Sequence, residues 1–451
     1  MSEVKKIKKG LDIKLAGKAE KVLEKADRSE TYAIKPSNFP GLTPKLKVKV
    51  DAEVKAGDSL FFDKYCPEIN FASPVSGKVI AVNRGERRRI LEVVIQADAE
   101  IQYQEFKKAD PKGLSREEIK EELLKSGLWA FVRQRPYDVI AKPKDTPKAI
   151  FVSAFDTAPL AADIDFLLEN EAEAFQAGLD ALAKLTDGKL YLNTNPNINQ
   201  TKIFSEAKNV EVRQFTGVHP AGNVGVQISH ISPMNKGEIA WVIRPQEVVF
   251  IGRLFTKGIY DVSRKIALCG SEVKTPCYFE TILGASVRNI LKGKLKDDEK
   301  IRVISGNVLT GEQITEDGFL NFYDSQITVI PEGDKFEFLG WAMPGLQKFS
   351  MSKTFFSWLT PNKEYRLDAN LHGEHRAFVM TGEYDKVLPM DVLPQQLIKS
   401  IMIEDIDQME QLGIYEVAPE DLALCEFVCT SKINVQDLVR KGIDLMIKEM
   451  S

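Results

Sequence analysis

The sequence is poor in the residues that hold redox centres: its 451 residues include five cysteines and four histidines. Cys425 and Cys429 form a C-x3-C pair. A bacterial-ferredoxin run C-x2-C-x2-C-x3-C-P ending on them would need cysteine where Pro419 and Leu422 stand and proline in place of Thr430. Two thiolates complete neither a cluster nor a tetrahedral zinc site, and Cys66, Cys269 and Cys277 lie in unrelated segments. An odd cysteine count in so large a chain argues against a disulfide framework and suits a reducing cytoplasm. No run of about 18 apolar residues occurs, and the charged start 1–9 is not followed by an apolar stretch, so neither a membrane span nor an export signal is expected. An excess of one charge is lacking too. The 61 basic and 65 acidic residues, spread along the chain, leave a net −4, which excludes the electrostatic footprint of a nucleic-acid or anionic-lipid binder.

What is present suffices for several cores, since 43% of the residues are hydrophobic and the length implies two to four domains. Residues 1–109 read as a small β module. Short strands at 45–50, 59–62 and 78–82 are punctuated by Ala56-Gly57-Asp58 and by Ala72-Ser73-Pro74-Val75-Ser76-Gly77. Their order resembles the barrel-sandwich hybrid of biotinyl and lipoyl domains, in which a hairpin-tip lysine carries the prosthetic group. Lys64 sits near that place, and two readings stand for it, a modified carrier lysine or a solvated turn residue. Arg87, Arg88 and Arg89 read either as a dock for an acidic partner or as a charge cluster that prevents edge pairing.

Residues 110–257 change to strands alternating with helices, the rhythm of a Rossmann-like α/β domain with a largely parallel sheet. Strands are expected at 149–154, 190–192 and 210–215, a helical stretch over 164–185, and extended or packed structure over 239–250. Dinucleotide phosphates need a glycine-rich turn, and the turn after the first strand, Ser153 to Pro159, has no glycine. The richest glycine segment is instead Gly217 to Gly225. Residues 258–332 resemble a β-grasp, soluble-ligand-binding domain, with a short helix at 286–291 and strands at 301–304 and 326–330. Residues 333–451 are mixed and then helical from about Leu393, where Leu397, Ile398, Ile401 and Met402 mark one buried face.

The segments Ile7 to Ile13, Ala72 to Gly77, His219-Pro220-Ala221-Gly222 and Leu422 to Cys429 together span essentially the whole sequence. In their residues and order they resemble the NqrA family, the A subunit of the sodium-translocating NADH:quinone reductase. This family is in turn similar to the flavin subunit of respiratory complex I and to the C subunit of the Rnf complex. In those relatives a helix leads into a glycine-rich flavin loop. Here the helix 117–125 leads into Ser126 to Pro136, where the loop glycines are missing and Trp129 and Phe131 bring bulk. The resemblance implies a peripheral subunit on the cytoplasmic face of the bacterial inner membrane. Its complex couples electron transfer from NADH to quinone with sodium export, while flavin and iron–sulfur are carried by other subunits. This chain would hold no cofactor and would have no catalytic step of its own. The other reading is a soluble flavin or iron–sulfur oxidoreductase subunit of Rnf or complex I type.

The family is also linked to quinone. A quinone site needs an apolar cleft with one or two donors for the ring oxygens. His219 and His230, flanking the glycine-rich loop, with Gly222 and Gly225 within it, are the candidates. His372 and His375 are further donors to consider, and their H-x-x-H spacing lacks the helical H-E-x-x-H of a zinc site. The acidic runs 169–173 and 297–299 read as solvated faces or turns. Partners are expected to be the other subunits, above all one in the membrane, meeting the aromatic-rich stretch Phe349 to Trp358, unless that stretch is simply core.

Overall fold

A computed structural model describes residues 4–296, 300–334, 337–340 and 343–450; the acidic run 297–299 lies outside the described residues. The architecture is mixed α/β, built on four sheets. Near the N-terminus two antiparallel sheets face each other. One orders the strands Thr31–Ile34, Ile90–Ala97, Gly77–Arg84 and Glu53–Val54, and the other Pro44–Leu46, Ser59–Asp63 and Asn70–Ala72. Leu60, Phe61, Phe71, Val79, Val93 and Ile95 form a closed core; Val93 and Ile95 share one face by alternation, and the adjacent Leu60 and Phe61 are both buried where the register shifts between Ser59 and Phe61. Lys64 is exposed on the turn after Ser59–Asp63, and Arg87 to Arg89 form an exposed hairpin tip in which Arg87 and Arg88 take positive φ.

The largest sheet has seven strands in the order Val4–Ile7, Glu211–Gly217, Lys189–Thr194, Ala149–Ser153, Ala240–Val242, Arg133–Arg135 and Val139–Ile140. The first five run parallel and the last two add an antiparallel hairpin. Ala149, Ile150, Phe151 and Val152 are all buried, as an unbroken apolar run in a parallel sheet covered on both faces must be. The helical stretch expected over 164–185 is broken in two, Ile164–Leu167 and Ala172–Ala183, because Asn170 adopts φ 71° between them. The 239–250 stretch resolves into the strand Ala240–Val242 and the helix Pro245–Lys257, with proline in its first turn. That helix crosses Ala172–Ala183 at two glycines. A Cβ on Gly178 would lie 2.0 Å from the Val248 carbonyl oxygen, and one on Gly252 would lie 1.7 Å from that of Ala174. Only glycine permits this approach.

A six-stranded sheet follows, ordered Glu312–Ile314, Ile301–Ser305, Gln326–Pro331, Ser263–Cys269, Cys277–Ile282 and Leu23–Glu24. The chain's first strand, Val4–Ile7, thus edges the parallel sheet and its second edges this one before the chain enters the β module. The C-terminal region carries the helices Pro394–Met402, Ile406–Gln411, Ala423–Val428 and Val435–Met450. Leu397, Ile398 and Ile401 are buried as their spacing predicts, but Met402 ends its helix and is half exposed. Cys425 and Cys429 are buried among these helices, where burial pushes the Cys425 thiol up and leaves it a protonated apolar group.

The segment 128–135, at the place compared above with a flavin loop, is packed, with only Arg133 partly exposed. Leu128–Phe131 is a single buried 3-10 turn. Trp129 donates its Nε1–H to the Ala141 carbonyl at 2.7 Å and meets Trp241 edge to face at 5.3 Å. Phe131 stacks on Phe322 at 4.5 Å and touches Phe250 at 5.4 Å, while Phe39 of the β module meets Phe322 at 4.8 Å. Three modules therefore share one aromatic cluster. Phe131→Ala is expected to remove about 3–5 kcal/mol of stability, read as a lowered midpoint in urea unfolding followed by tryptophan fluorescence.

Candidate functional site

In an open α/β sheet the crevice for a ligand lies beyond the carboxyl ends of the strands, where neighbouring strands connect outward in opposite directions. Here that point falls between Ala149–Ser153 and Ala240–Val242. The chain leaves the first toward Lys189–Thr194 on one side and reaches the second on the other. A cavity of about 150 Å³ opens there, roofed by residues 306–310 and 323–326 of the six-stranded sheet region and by Glu420. An engineered apolar cavity of similar size holds benzene, so there is room for one six-membered ring. Phe155, Ala162, Ile164, Leu167 and Phe250 make one part of the wall apolar.

His219 and Gly222 line this cavity. The loop that carries them is pinned by the N-terminal segment, since Asp12 Oδ1 accepts the His219 N–H at 2.8 Å and the His219 carbonyl accepts from Leu11 N at 2.8 Å. Two segments some two hundred residues apart thus position one imidazole. Thr157 Oγ1 accepts the Gly222 N–H at 2.9 Å and lies 3.1 Å from His219 Nδ1. The Thr157 hydroxyl can give its hydrogen to Nδ1 or accept one from it, so the contact fits either neutral tautomer, one of which carries its hydrogen on Nε2. Burial, opposed by Asp156, Asp12 and Glu420, holds its pKa below the usual range and keeps it neutral. Nε2 has no hydrogen-bond partner among the described residues.

The other candidates are placed elsewhere. His230 is exposed in the last turn of the helix Val224–Ile231 and does not line the cavity; partial burial and Lys5 lower its pKa. Gly225, in the first turn of that helix, lies under the Asp421 carboxyl, whose oxygens would be 2.3 and 2.4 Å from a Cβ there. It is a docking point for the C-terminal region. His372 Nε2 lies 3.5 Å from Asp368 and His375 is exposed. No cluster of three or more histidine, cysteine or acidic residues suited to a metal occurs among the described residues.

A polar part of the wall lay beyond the reach of motif reading. Arg133, Arg244, Glu247 and Arg264 meet there from one strand, a helix start and a second sheet. Glu247 accepts the Arg244 N–H at 2.7 Å and so fills the start of the helix Pro245–Lys257 with the protein's own carboxylate. Pro245 withholds an N–H at the same end. A nucleotide phosphate therefore finds this helix start taken. Arg264 donates to the carbonyls of Phe322 and Asn321, both at 3.2 Å, and burial pulls its guanidinium down to about 10 against Asp324 and Glu247. The sequence signals only the helix start within this wall, Arg244-Pro245-Gln246-Glu247, with a proline and a glutamate at the first and third positions of a helix following a strand.

Beside the cavity, Arg135 is shared among carboxylates. It lies 2.5 Å from Glu420, 3.2 Å from Asp421 and 3.7 Å from Asp138. Arg133 shares Asp138 at 3.3 Å, while burial together with Glu420 pushes the Asp421 carboxyl up to about 7 despite Arg135. The unfolded value is about 3.9, so between these limits the folded chain binds the additional proton. The contribution of this one carboxyl to stability is therefore expected to fall as pH rises from about 4 to about 7 and then to level, opposite in sign to that of the ion-paired carboxylates whose pKa is lowered. Thermal unfolding of wild type and Asp421→Asn across that range checks it: the difference between the two should carry this slope.

A family model described as the NqrA N-terminal barrel-sandwich hybrid domain matches residues 5–98, one described as the NqrA second alpha/beta domain matches 114–260, and one described as the NQRA C-terminal domain matches 265–316. The chain is 38% identical to the A subunit of the Na(+)-translocating NADH-quinone reductase of Vibrio parahaemolyticus serotype O3:K6, over 98% of this chain and 99% of that protein. It is 37% identical to the corresponding subunit of Pasteurella multocida (strain Pm70) over the same shares, and 37% identical to that of Yersinia pestis bv. Antiqua over 96% and 97%. Among solved structures, a NAD+-reducing [NiFe]-hydrogenase in the H2-reduced state covers 75% of this chain and 62% of its own at 12% identity and a TM-score of 0.41, a likeness too distant for inference.

Proposed function

The chain belongs to the NqrA family, the A subunit of the Na(+)-translocating NADH-quinone reductase, and from that premise we propose that it serves as the peripheral subunit of such a complex and brings a quinone-ring site to it. Identity over nearly the full length is the observation that carries membership in the complex. It works within a translocase that couples NADH oxidation by quinone to sodium transport, with the electron carriers in other subunits. Absence of flavin from this chain is supported by the buried Leu128–Phe131 turn, where Phe131 and Trp129 take the space that a flavin loop would leave open.

The barrel-sandwich domain leads the chain, and we read residues 110–257 as Rossmann-like and 258–332 as β-grasp, with a mixed and helical region at 333–451. The five parallel strands with helices between them support the former assignment. No helix among the described residues is long and apolar enough to cross a membrane, which supports attachment to the cytoplasmic face through partners.

Quinone recognition rests on the ring-sized cavity, its apolar wall and the free Nε2 of His219, a donor in the tautomer that carries its hydrogen there. Ubiquinone-1 is expected to bind the isolated chain saturably in calorimetric titration, and His219→Ala should weaken it about tenfold, one hydrogen bond's worth. A flat titration would leave the chain a scaffold with its quinone site elsewhere.

Docking to a membrane subunit is read onto residues 338–380. Nearly half of the exposed large apolar side chains among the described residues fall in this stretch, including Phe338, Leu346, Phe356, Trp358 and Leu359. Phe349 and Phe355 are half-buried against Tyr365 and Gly345, so the expected aromatic stretch is divided between packing and exposure. Trp358→Ala combined with Leu359→Ala should leave the unfolding midpoint unchanged and abolish copurification with the membrane subunits.

A further inference from the structure

Three buried polar atoms on the cavity's residues have no partner among the described residues: Nε of Arg133, Nε of Arg264 and Oε1 of Glu247. Glu247 and Arg264 are 3% and 7% exposed, so these atoms are removed from bulk solvent, and leaving such groups unpaired is costly. Their chemistry is mixed. Each Nε offers a hydrogen, while Glu247 Oε1 offers lone pairs, its companion Oε2 being taken by the Arg244 N–H. All three belong to residues that line the one cavity, and Arg133, Arg244 and Arg264 act electrostatically on Glu247.

A ligand oxygen that satisfies this set must both accept and donate. A quinone carbonyl accepts only. A phenolic hydroxyl does both, taking a hydrogen from the guanidinium Nε–H and giving its own to the carboxylate. His219 Nε2, on a separate element of the wall, donates to either form of the ring in the tautomer that carries its hydrogen there. We propose that Glu247 and Arg264 make this cavity a site selective for the reduced, quinol form of the ring, with Glu247 as the residue that sets the preference. The inference rests on the quinone-ring reading and adds to it the redox form that is held. Since reduction of quinone delivers this form, the site retains product or senses the reduced pool.

Glu247 is faced by Arg133, Arg244 and Arg264, which favour the carboxylate, and by Tyr323, against a burial that pushes the carboxyl up. Mildly alkaline pH therefore favours the form with a free acceptor. Arg264 is a poor target for substitution, because its Nη atoms also hold the carbonyls of Phe322 and Asn321. Glu247→Gln is the informative change. The Arg244 N–H retains an acceptor in the amide oxygen, which keeps the helix start capped. The amide NH2 then faces the cavity and replaces the acceptor by a donor.

The test is anaerobic calorimetric titration of the full chain at mildly alkaline pH with ubiquinol-1 and, separately, ubiquinone-1, on wild type and Glu247→Gln, with thermal unfolding as a check on the fold. Wild type is expected to bind the quinol about tenfold more tightly. Glu247→Gln should bring the two affinities together or reverse their order, which a purely structural effect on the helix start would not do. Equal wild-type affinities, or a preference that survives in Glu247→Gln, would overturn the proposal while leaving the quinone-ring reading intact; the wild-type ratio decides even if the variant does not fold. Binding of neither form would overturn both, with water left as the partner of these three atoms.

Discussion

The structure depends on how the segment Leu128 to Arg135 is packed. Its alternate side chains reach four different places: Trp129 to Trp241 of the parallel sheet, Phe131 to Phe322 and Phe250, Arg133 over the Tyr323 ring beside the cavity, and Arg135 to Glu420 and Asp421. Leu128–Phe131 turns as a 3-10 helix and Arg133–Arg135 is extended, so these eight residues send side chains in several directions and bind a sheet, a second sheet and the C-terminal region to one another. The aromatic burial supplies the favourable free energy, and the ion cluster supplies direction, because a buried charge tolerates few arrangements.

That packing also accounts for the chemistry that the sequence has no motif for. A cofactor loop must keep its backbone open to the ligand, with glycines in place of side chains. Here the same stretch is filled, and the space that remains has moved to the switch point of the parallel sheet, where His219 and the roof of residues 306–310 and 323–326 enclose a small cavity. The helix beginning at Pro245 aims its positive end at that cavity but is answered from within by Glu247. On the proposed reading the site takes an uncharged ring rather than a nucleotide, and selects by hydrogen-bond direction rather than by net charge.

Outside this core the described chain is less economical. The stretch 338–380 has little regular structure and leaves large apolar side chains in solvent. Free surfaces rarely expose so many together. On the proposed docking, this stretch gains its burial from a neighbouring protein of the complex.

Local patterning made much of the architecture legible. The apolar run of Ala149 to Ser153, the helix expected over 117–125 and found at Arg116–Ser126, and the face of Leu397, Ile398 and Ile401 are dictated by period and capping, which act over a few residues. The missing cysteines and loop glycines likewise mark, by residue type alone, what this chain has no motif to hold. Tertiary structure alone decided which candidates share a site. His219 joins the cavity because Asp12 and Leu11 hold its loop, Gly225 turns to Asp421, and His230 faces away at the far end of the same helix. The meeting of Arg133, Glu247 and Arg264 has no trace in spacing, since they come from three elements brought together only when two sheets close on the aromatic cluster. Contacts between residues a hundred or more positions apart are set by packing, and packing is a property of the whole chain.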